Sequence, residues 1–63
     1  MSIFYVESYS GWFLVRAQTK RKAFSEGVRE YGRGMVKLVR KATQEEISYF
    51  VSHKGDDAIG EAI

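Results

Sequence analysis

Hydrophobic positions along the chain follow two different periods, and the switches between them mark the elements. Residues 3–7 (Ile-Phe-Tyr-Val-Glu) and 12–17 (Trp-Phe-Leu-Val-Arg-Ala) are rich in aromatic and β-branched side chains, which predicts two strands. Only Ser8-Tyr9-Ser10-Gly11 separates them, a connection short enough for a β-hairpin. The period then changes. Ala23, Phe24, Gly27, Val28 and Tyr31 recur at helical spacing behind Thr19, a suitable N-cap, and Gly32 is a suitable stop. Residues 35–40 (Met-Val-Lys-Leu-Val-Arg) predict a third strand. Thr43-Gln44-Glu45-Glu46 has the spacing of a capping box, in which hydroxyl and carboxylate satisfy each other's backbone donors. Ile47, Phe50 and Val51 supply the apolar stripe of a second helix, with Gly55 as its stop.

The order is ββαβα, and the expected fold is a single small α+β domain over residues 1–55. It pairs a three-stranded mixed sheet with two helices. Residues 56–63 are expected as a short acidic C-terminal tail or an extra helical turn, with Ala58, Ile59, Ala62 and Ile63 on one face. A crossover through the first helix makes strands two and three parallel. Strand orders 1-2-3 and 3-1-2 both satisfy the pattern.

Alternation leaves neither face of this sheet polar. Phe4, Val6, Phe13, Val15 and Ala17 fall on one side, and Ile3, Tyr5, Trp12 and Leu14 on the other. In the third strand Val36 and Leu38 oppose Met35 and Val39. A sheet with one wet face alternates apolar with polar, so both faces here require cover. The first helix covers one. The second is covered by the second helix and tail, by another copy of the chain, or by a partner. In the last case Tyr5, Trp12 and Leu14 form an exposed aromatic patch of the kind that marks interaction sites.

Charge adds a second asymmetry. The chain has 63 residues and a net charge of +2, yet nine of its ten Lys and Arg residues lie between 16 and 41. They are Arg16, Lys20, Arg21, Lys22, Arg29, Arg33, Lys37, Arg40 and Lys41, against only Glu26 and Glu30. Residues 42–63 carry Lys54 against Glu45, Glu46, Asp56, Asp57 and Glu61. Such segregation suits an acidic partner or a phosphate backbone. Lys20, Arg21 and Lys22 also occupy the first turn of the first helix, where the helix dipole disfavours cations by roughly 0.3–1 kcal/mol each. A local rule broken in one helix and obeyed in the other marks a candidate functional site. Arg16 and Arg40 or Lys41 are expected to join its rim.

Catalytic chemistry has little to work with. Without cysteine, and with His53 as the only histidine, thiolate and all-histidine metal sites are excluded. Ser52 and His53 are adjacent on a helix and point about 100° apart, so they form no nucleophile–base pair. Gly32-Arg33-Gly34 follows a helix instead of preceding one and reads as a stop; neither a GxGxxG nor a P-loop pattern is present. The reading is no enzyme and no cofactor. The longest apolar runs fall far short of the ~20 residues of a membrane span, and a cytoplasmic protein with no membrane partner is expected.

The run Val39-Arg40-Lys41-Ala42-Thr43-Gln44-Glu45-Glu46-Ile47, a strand entering a capping box, resembles small bacteriophage-encoded accessory and host-takeover proteins. Those are single-domain chains with an aromatic hairpin, a crossover helix, a third strand and an acidic closing helix. The resemblance implies a regulator that docks on a host protein inside the host cell.

The expected function is therefore a small non-catalytic binding module that meets an acidic protein surface. Tyr5 and Trp12 would anchor the contact, and Arg16, Lys20, Arg21, Lys22, Arg29, Arg33, Lys37 and Arg40 would form its basic rim. The alternatives are a nucleic-acid-binding module using the basic helix over 19–31 and a structural homodimer joined through the open face or a strand edge. For about six phosphate contacts, the nucleic-acid reading predicts a log–log salt slope of about −4 to −5.

Overall fold

In the computed structural model, which describes residues 1–62, the predicted hairpin is the centre of the molecule. Strand β1 (Ser2–Ser8) pairs antiparallel with β2 (Gly11–Ala17), in register from Ser2 opposite Ala17 to Ser8 opposite Gly11. Ser8 closes the turn: its Oγ accepts from the Ser10 N–H at 3.0 Å and donates to the Gly11 carbonyl at 2.9 Å. Helix α1 (Lys20–Tyr31) follows, then β3 (Val36–Lys41), α2 (Gln44–Lys54), a 3-10 turn (Asp56–Ala58) and β4 (Gly60–Glu61). The sheet order is β3-β1-β2-β4.

Both helices begin where their caps require. The Thr19 hydroxyl accepts from the Lys22 N–H, and the Thr43–Glu46 capping box is closed in both directions. Helix α1 ends at Gly32, whose φ of 106° is a left-handed conformation that a side chain would strain.

The sheet settles an alternative that the sequence left open and then differs from the expectation in two ways. Of the two possible orders, 3-1-2 is the one adopted. β3 pairs antiparallel with β1, so β2 and β3 run parallel with β1 between them. First, the described residues form four strands where three were expected. The chain after α2 forms the 3-10 turn and a two-residue strand parallel to β2, in place of a tail or helical turn. Ile59 consequently enters the core on one side of the sheet and Ala62 the core on the other, so they do not share a helical face; Ile63 lies outside the described residues.

Second, the alternation expected in β3 fails. Glu7 faces Leu38 and Ser8 faces Val36, so Lys37 is an extra residue that the register skips. A bulge of this kind turns the following side chain to the opposite face. Val36 and Val39 both pack in the α1-side core as a result, and Leu38 is left 43% exposed.

Each sheet face is covered by one helix. Phe4, Val6, Val15, Ala17 and Val39 pack with Ala23 of α1. Leu14 packs with Phe50 of α2 and Ile59, and Ile3, Tyr5, Trp12, Ile47 and Val51 border that cluster. The open-face alternative for the second side is therefore corrected: α2 supplies the cover, and Leu14 has no solvent exposure. The apolar stripe of α1 is also narrower than its sequence suggests. Ala23 and Gly27 are buried, but Phe24 is 48% exposed.

Gly27 is where α1 comes closest to the sheet. A Cβ there would lie 2.8 Å from Val6 Cγ1 and 3.1 Å from Val36 Cγ2. Val6 is fully buried and its χ1 is stiff, so it has no room to yield. Alanine would gain up to about 1 kcal/mol of helix propensity, but overpacking a closed core costs roughly 1–3 kcal/mol. Gly27→Ala is expected to lower stability by about 1–2 kcal/mol, read from urea unfolding. An unchanged or higher midpoint would show that α1 is free to lift from the sheet.

Candidate binding site

The predicted basic residues divide into two groups. On the α2 side of the sheet, cations are drawn into the fold by carboxylates. Arg16 reaches Asp56 of the 3-10 turn at 3.1 Å. Arg40 lies opposite Tyr5 in the sheet, and its guanidinium sits 4.3 Å above the Tyr5 ring. The same guanidinium makes a two-pronged contact with Glu46, at 2.9 and 2.6 Å. Glu46 is also the capping-box carboxylate, accepting from the Thr43 N–H at 2.9 Å. The Tyr5 hydroxyl donates to Glu7 at 2.7 Å, and Glu7 meets Lys37 at 3.5 Å. Lys37, Glu7, Tyr5, Arg40, Glu46 and Thr43 thus form one polar chain from β3 across β1 to the start of α2.

The chemistry of this chain follows from its contacts. The Arg40 guanidinium, then the Thr43 backbone, hold the Glu46 carboxyl at about 2 against partial burial. Arg40 is correspondingly raised, chiefly by its bond to Glu46. Burial, with the Glu7 carboxylate beside it, pushes the Tyr5 phenol up to about 12. Glu7 is lowered, first by the Tyr5 hydroxyl and then by Lys37. Tyr5, Glu7, Arg40 and Glu46 are each stabilised in their ordinary ionisation state, so none of these four is poised for proton transfer near neutrality.

The aromatic anchors are folded into the same side. Trp12 stacks on Tyr5 with centroids 5.3 Å apart, and its other neighbours are Phe50 at 5.5 Å and Tyr49 at 6.2 Å. Tyr5 and Trp12 are half-buried and do not form an open platform. The edge of Trp12 still reaches a cleft of about 530 Å³ between the hairpin turn and the ends of α1 and α2, lined also by Tyr31, Tyr49, His53 and Lys54. His53 stacks on Tyr49 at 4.0 Å, and its Nδ1 is 2.9 Å from the Tyr49 carbonyl oxygen. The sequence carried no signal for this stacking beyond the four-residue spacing of the two rings.

The second group of cations lies on the α1–β3 side. Lys20, Arg21 and Lys22 are exposed on the first turn of α1, and Lys41 is exposed at the end of β3. Lys22 Nζ lies 3.4 Å from the Gln18 side-chain oxygen. Among the described residues none of these four, nor Arg33, has a carboxylate within ion-pair distance. Arg29 pairs with Glu26 one helical turn away, at 3.2 Å. Between the cations runs an apolar groove of about 320 Å³, lined by Lys20, Phe24, Val36, Lys37, Leu38 and Val39. On the other flank of Phe24, Arg33 and Gly34 line a second hollow with Ser25 and Val28. The site brings Lys20, Lys37 and the Arg33 turn around Phe24. It leaves Arg16, Arg40, Tyr5 and Trp12 on the opposite face of the sheet. Sequence reasoning missed Phe24 and Leu38, which occupy positions that helix and strand periodicity assign to the core.

No protein family, curated protein or solved structure matches the chain.

Among the described residues no cluster of His, Asp or Glu has the geometry to hold a metal ion, and no helix is long and apolar enough to cross a membrane.

The Glu46 linkage has a definite sign. Its carboxyl titrates at about 2 in the fold against an ordinary value of 4.5, so the ionised form stabilises the native state. That contribution is complete above 4.5 and is lost as pH falls towards about 2. Thermal unfolding followed over this window is expected to show a steep fall in midpoint for the wild type. In Glu46→Gln the midpoint should start lower at neutral pH and fall less steeply, Glu7 retaining a smaller share. Parallel profiles would remove Glu46 from the linkage.

Proposed function

We propose that the chain is a small non-catalytic binding module that docks on an acidic protein surface through its α1–β3 side. The observation that carries this reading is the apolar groove between Lys20 and Lys37, in which Phe24 and Leu38 stay 48% and 43% exposed. A chain this small gains from every apolar side chain it buries, and two large ones left out near Lys20, which has no carboxylate partner among the described residues, are better explained by a partner than by the fold itself. Aromatic and aliphatic anchors within a charged rim are the anatomy of a protein interface: the anchors give affinity, and the rim gives orientation and rate.

The anchors are not the pair that the sequence suggested. Phe24 and Leu38 take the place of Tyr5 and Trp12, and the rim is Lys20, Arg21, Lys22, Arg33, Lys37 and Lys41. Such a module acts by occupying a surface on its target, in keeping with the regulatory role implied by the resemblance to small phage accessory proteins. Nucleic acid is the weaker reading. Glu30 is exposed on the same helix as the basic turn and repels a phosphate backbone laid along it, and a backbone has no use for Phe24 and Leu38.

Backbone amide shifts of labelled protein, titrated with polyglutamate and with duplex DNA at low and moderate salt, test the reading. Polyglutamate is expected to move the amides of Lys20–Lys22 and of residues 36–39. The Lys20→Glu, Lys22→Glu double variant should weaken that binding by about tenfold or more, given ~1.4 kcal/mol per decade. Duplex DNA binding more tightly than polyglutamate, with a salt slope near −4, would replace the protein-binding module with the nucleic-acid one.

A further inference from the structure

The outer edge of β3 is the place where this molecule can extend its own sheet. The geometry points to recognition of an extended acidic peptide, added as a fifth strand along β3 with one apolar side chain seated against Phe24 in the groove on the α1 side. This rests on the proposed docking at the α1–β3 side and specifies the partner's conformation as well as its charge.

The backbone of β3 supplies the docking groups. The Ala42 N–H donates to the Ile3 carbonyl at 2.9 Å, which places residue 42 in a hydrogen-bonded pair with β1. Antiparallel pairing alternates, so Arg40 and Leu38 also turn their backbone groups towards β1, opposite Tyr5 and Glu7. Val39 and Lys41 turn theirs outward, the Lys41 carbonyl accepting from the Arg40 guanidinium at 3.2 Å, and among the described residues no strand lies beyond them. At the other end of the sheet β4 is only two residues long, so β3, with six, is the longer free edge. Strand addition draws its affinity from such main-chain groups and its specificity from pockets for alternate side chains.

Charge decides which strand is accepted. β3 carries Lys37, Arg40 and Lys41, and Lys20 projects into the groove beside it. When two copies pair antiparallel through these outward groups with Val39 of each opposite Lys41 of the other, the two Arg40 residues face each other, and directly opposed like charges are destabilising. Lysines and a bulge on an edge strand are known means of refusing indiscriminate partners. Here the bulged residue is itself Lys37. Of these cations Lys20 and Lys41 have no carboxylate partner among the described residues, and they attract a strand whose side chains alternate between carboxylate and apolar.

Hydrogen exchange of labelled protein provides the test. The probes are a synthetic peptide alternating glutamate and valine, and the same peptide N-methylated at every second residue so that one edge has no donors. With the unmethylated peptide, the amides of Val39 and Lys41 are expected to exchange at least tenfold more slowly, and the methylated peptide should give no such protection. Shifts at Lys20–Lys22 with unchanged exchange at Val39 and Lys41 would overturn strand addition while leaving acidic docking in place. No shift anywhere with either this peptide or polyglutamate would overturn both. A pair of variants gives an independent reading. Lys41→Gln removes the charge alone, whereas Lys41→Pro also removes an outward N–H that β1 does not use. The proline variant is expected to bind roughly fivefold more weakly than the glutamine variant. Equal affinities would count against the strand.

Discussion

A hairpin that is apolar on both faces has to be covered twice, and with 63 residues there is one helix available for each face. The rest of the structure follows from that constraint. The β1–β2 pair is central, with β3 beside β1 and the short β4 beside β2. Helix α1 lies close enough that only glycine fits at residue 27, where Val6 and Val36 leave no space for a methyl group. Helix α2 covers the other face with larger side chains, Phe50 bordered by Ile47 and Val51, and is helped by Ile59 from the segment after it. Every apolar side chain counts at this size, because a small domain buries a low fraction of its surface.

The apolar cover by α2 is accompanied by a polar chain. Glu46 both caps the helix and takes Arg40 in a bidentate pair, so the same carboxylate sets where α2 starts and ties that start to the sheet. Arg40 is extended over the Tyr5 ring, and Tyr5 passes the connection to Glu7 and on to Lys37. Charge-assisted bonds to partly buried groups are stronger than exposed ion pairs. This explains the separation of the basic residues into two populations. Arg16 and Arg40 have carboxylates delivered to them by the acidic final third of the chain. Lys20, Arg21, Lys22, Arg33 and Lys41 lie on the side that this segment does not reach.

That uncompensated side is also where the fold leaves apolar surface. Phe24 sits at the margin of the α1 stripe, and Leu38 sits just past the bulge at Lys37. A helix that packs through Ala23 and Gly27 has a narrow contact face, and Phe24 falls outside it. Cations, exposed apolar side chains and an unpaired strand edge therefore coincide at one border of the sheet. In the proposed reading this coincidence is the functional feature of the molecule.

Much of this was legible in the residues themselves. The hairpin, both helices with their caps and the third strand follow from local chemistry: β-branched and aromatic runs, Thr19 and Thr43 as caps, and glycine at helix stops. The need for cover on both faces follows from alternation alone. The segregation of charge was equally plain, but not its consequence, because Arg16 and Arg40 look no different in sequence from Lys20 and Lys41. Their pairing with Asp56 and Glu46 depends on where α2 and the final segment return to the sheet. The exposure of Phe24 was hidden because the contact face of α1 is set by where Ala23 and Gly27 meet the sheet, and the joint packing of Val36 and Val39 because the register skips Lys37. By itself the sequence determined which segments form strands and helices, because those depend on neighbours a few residues apart. The tertiary structure decided strand order, the helix that covers the second face and the cations left without partners, because each depends on contacts between residues distant along the chain.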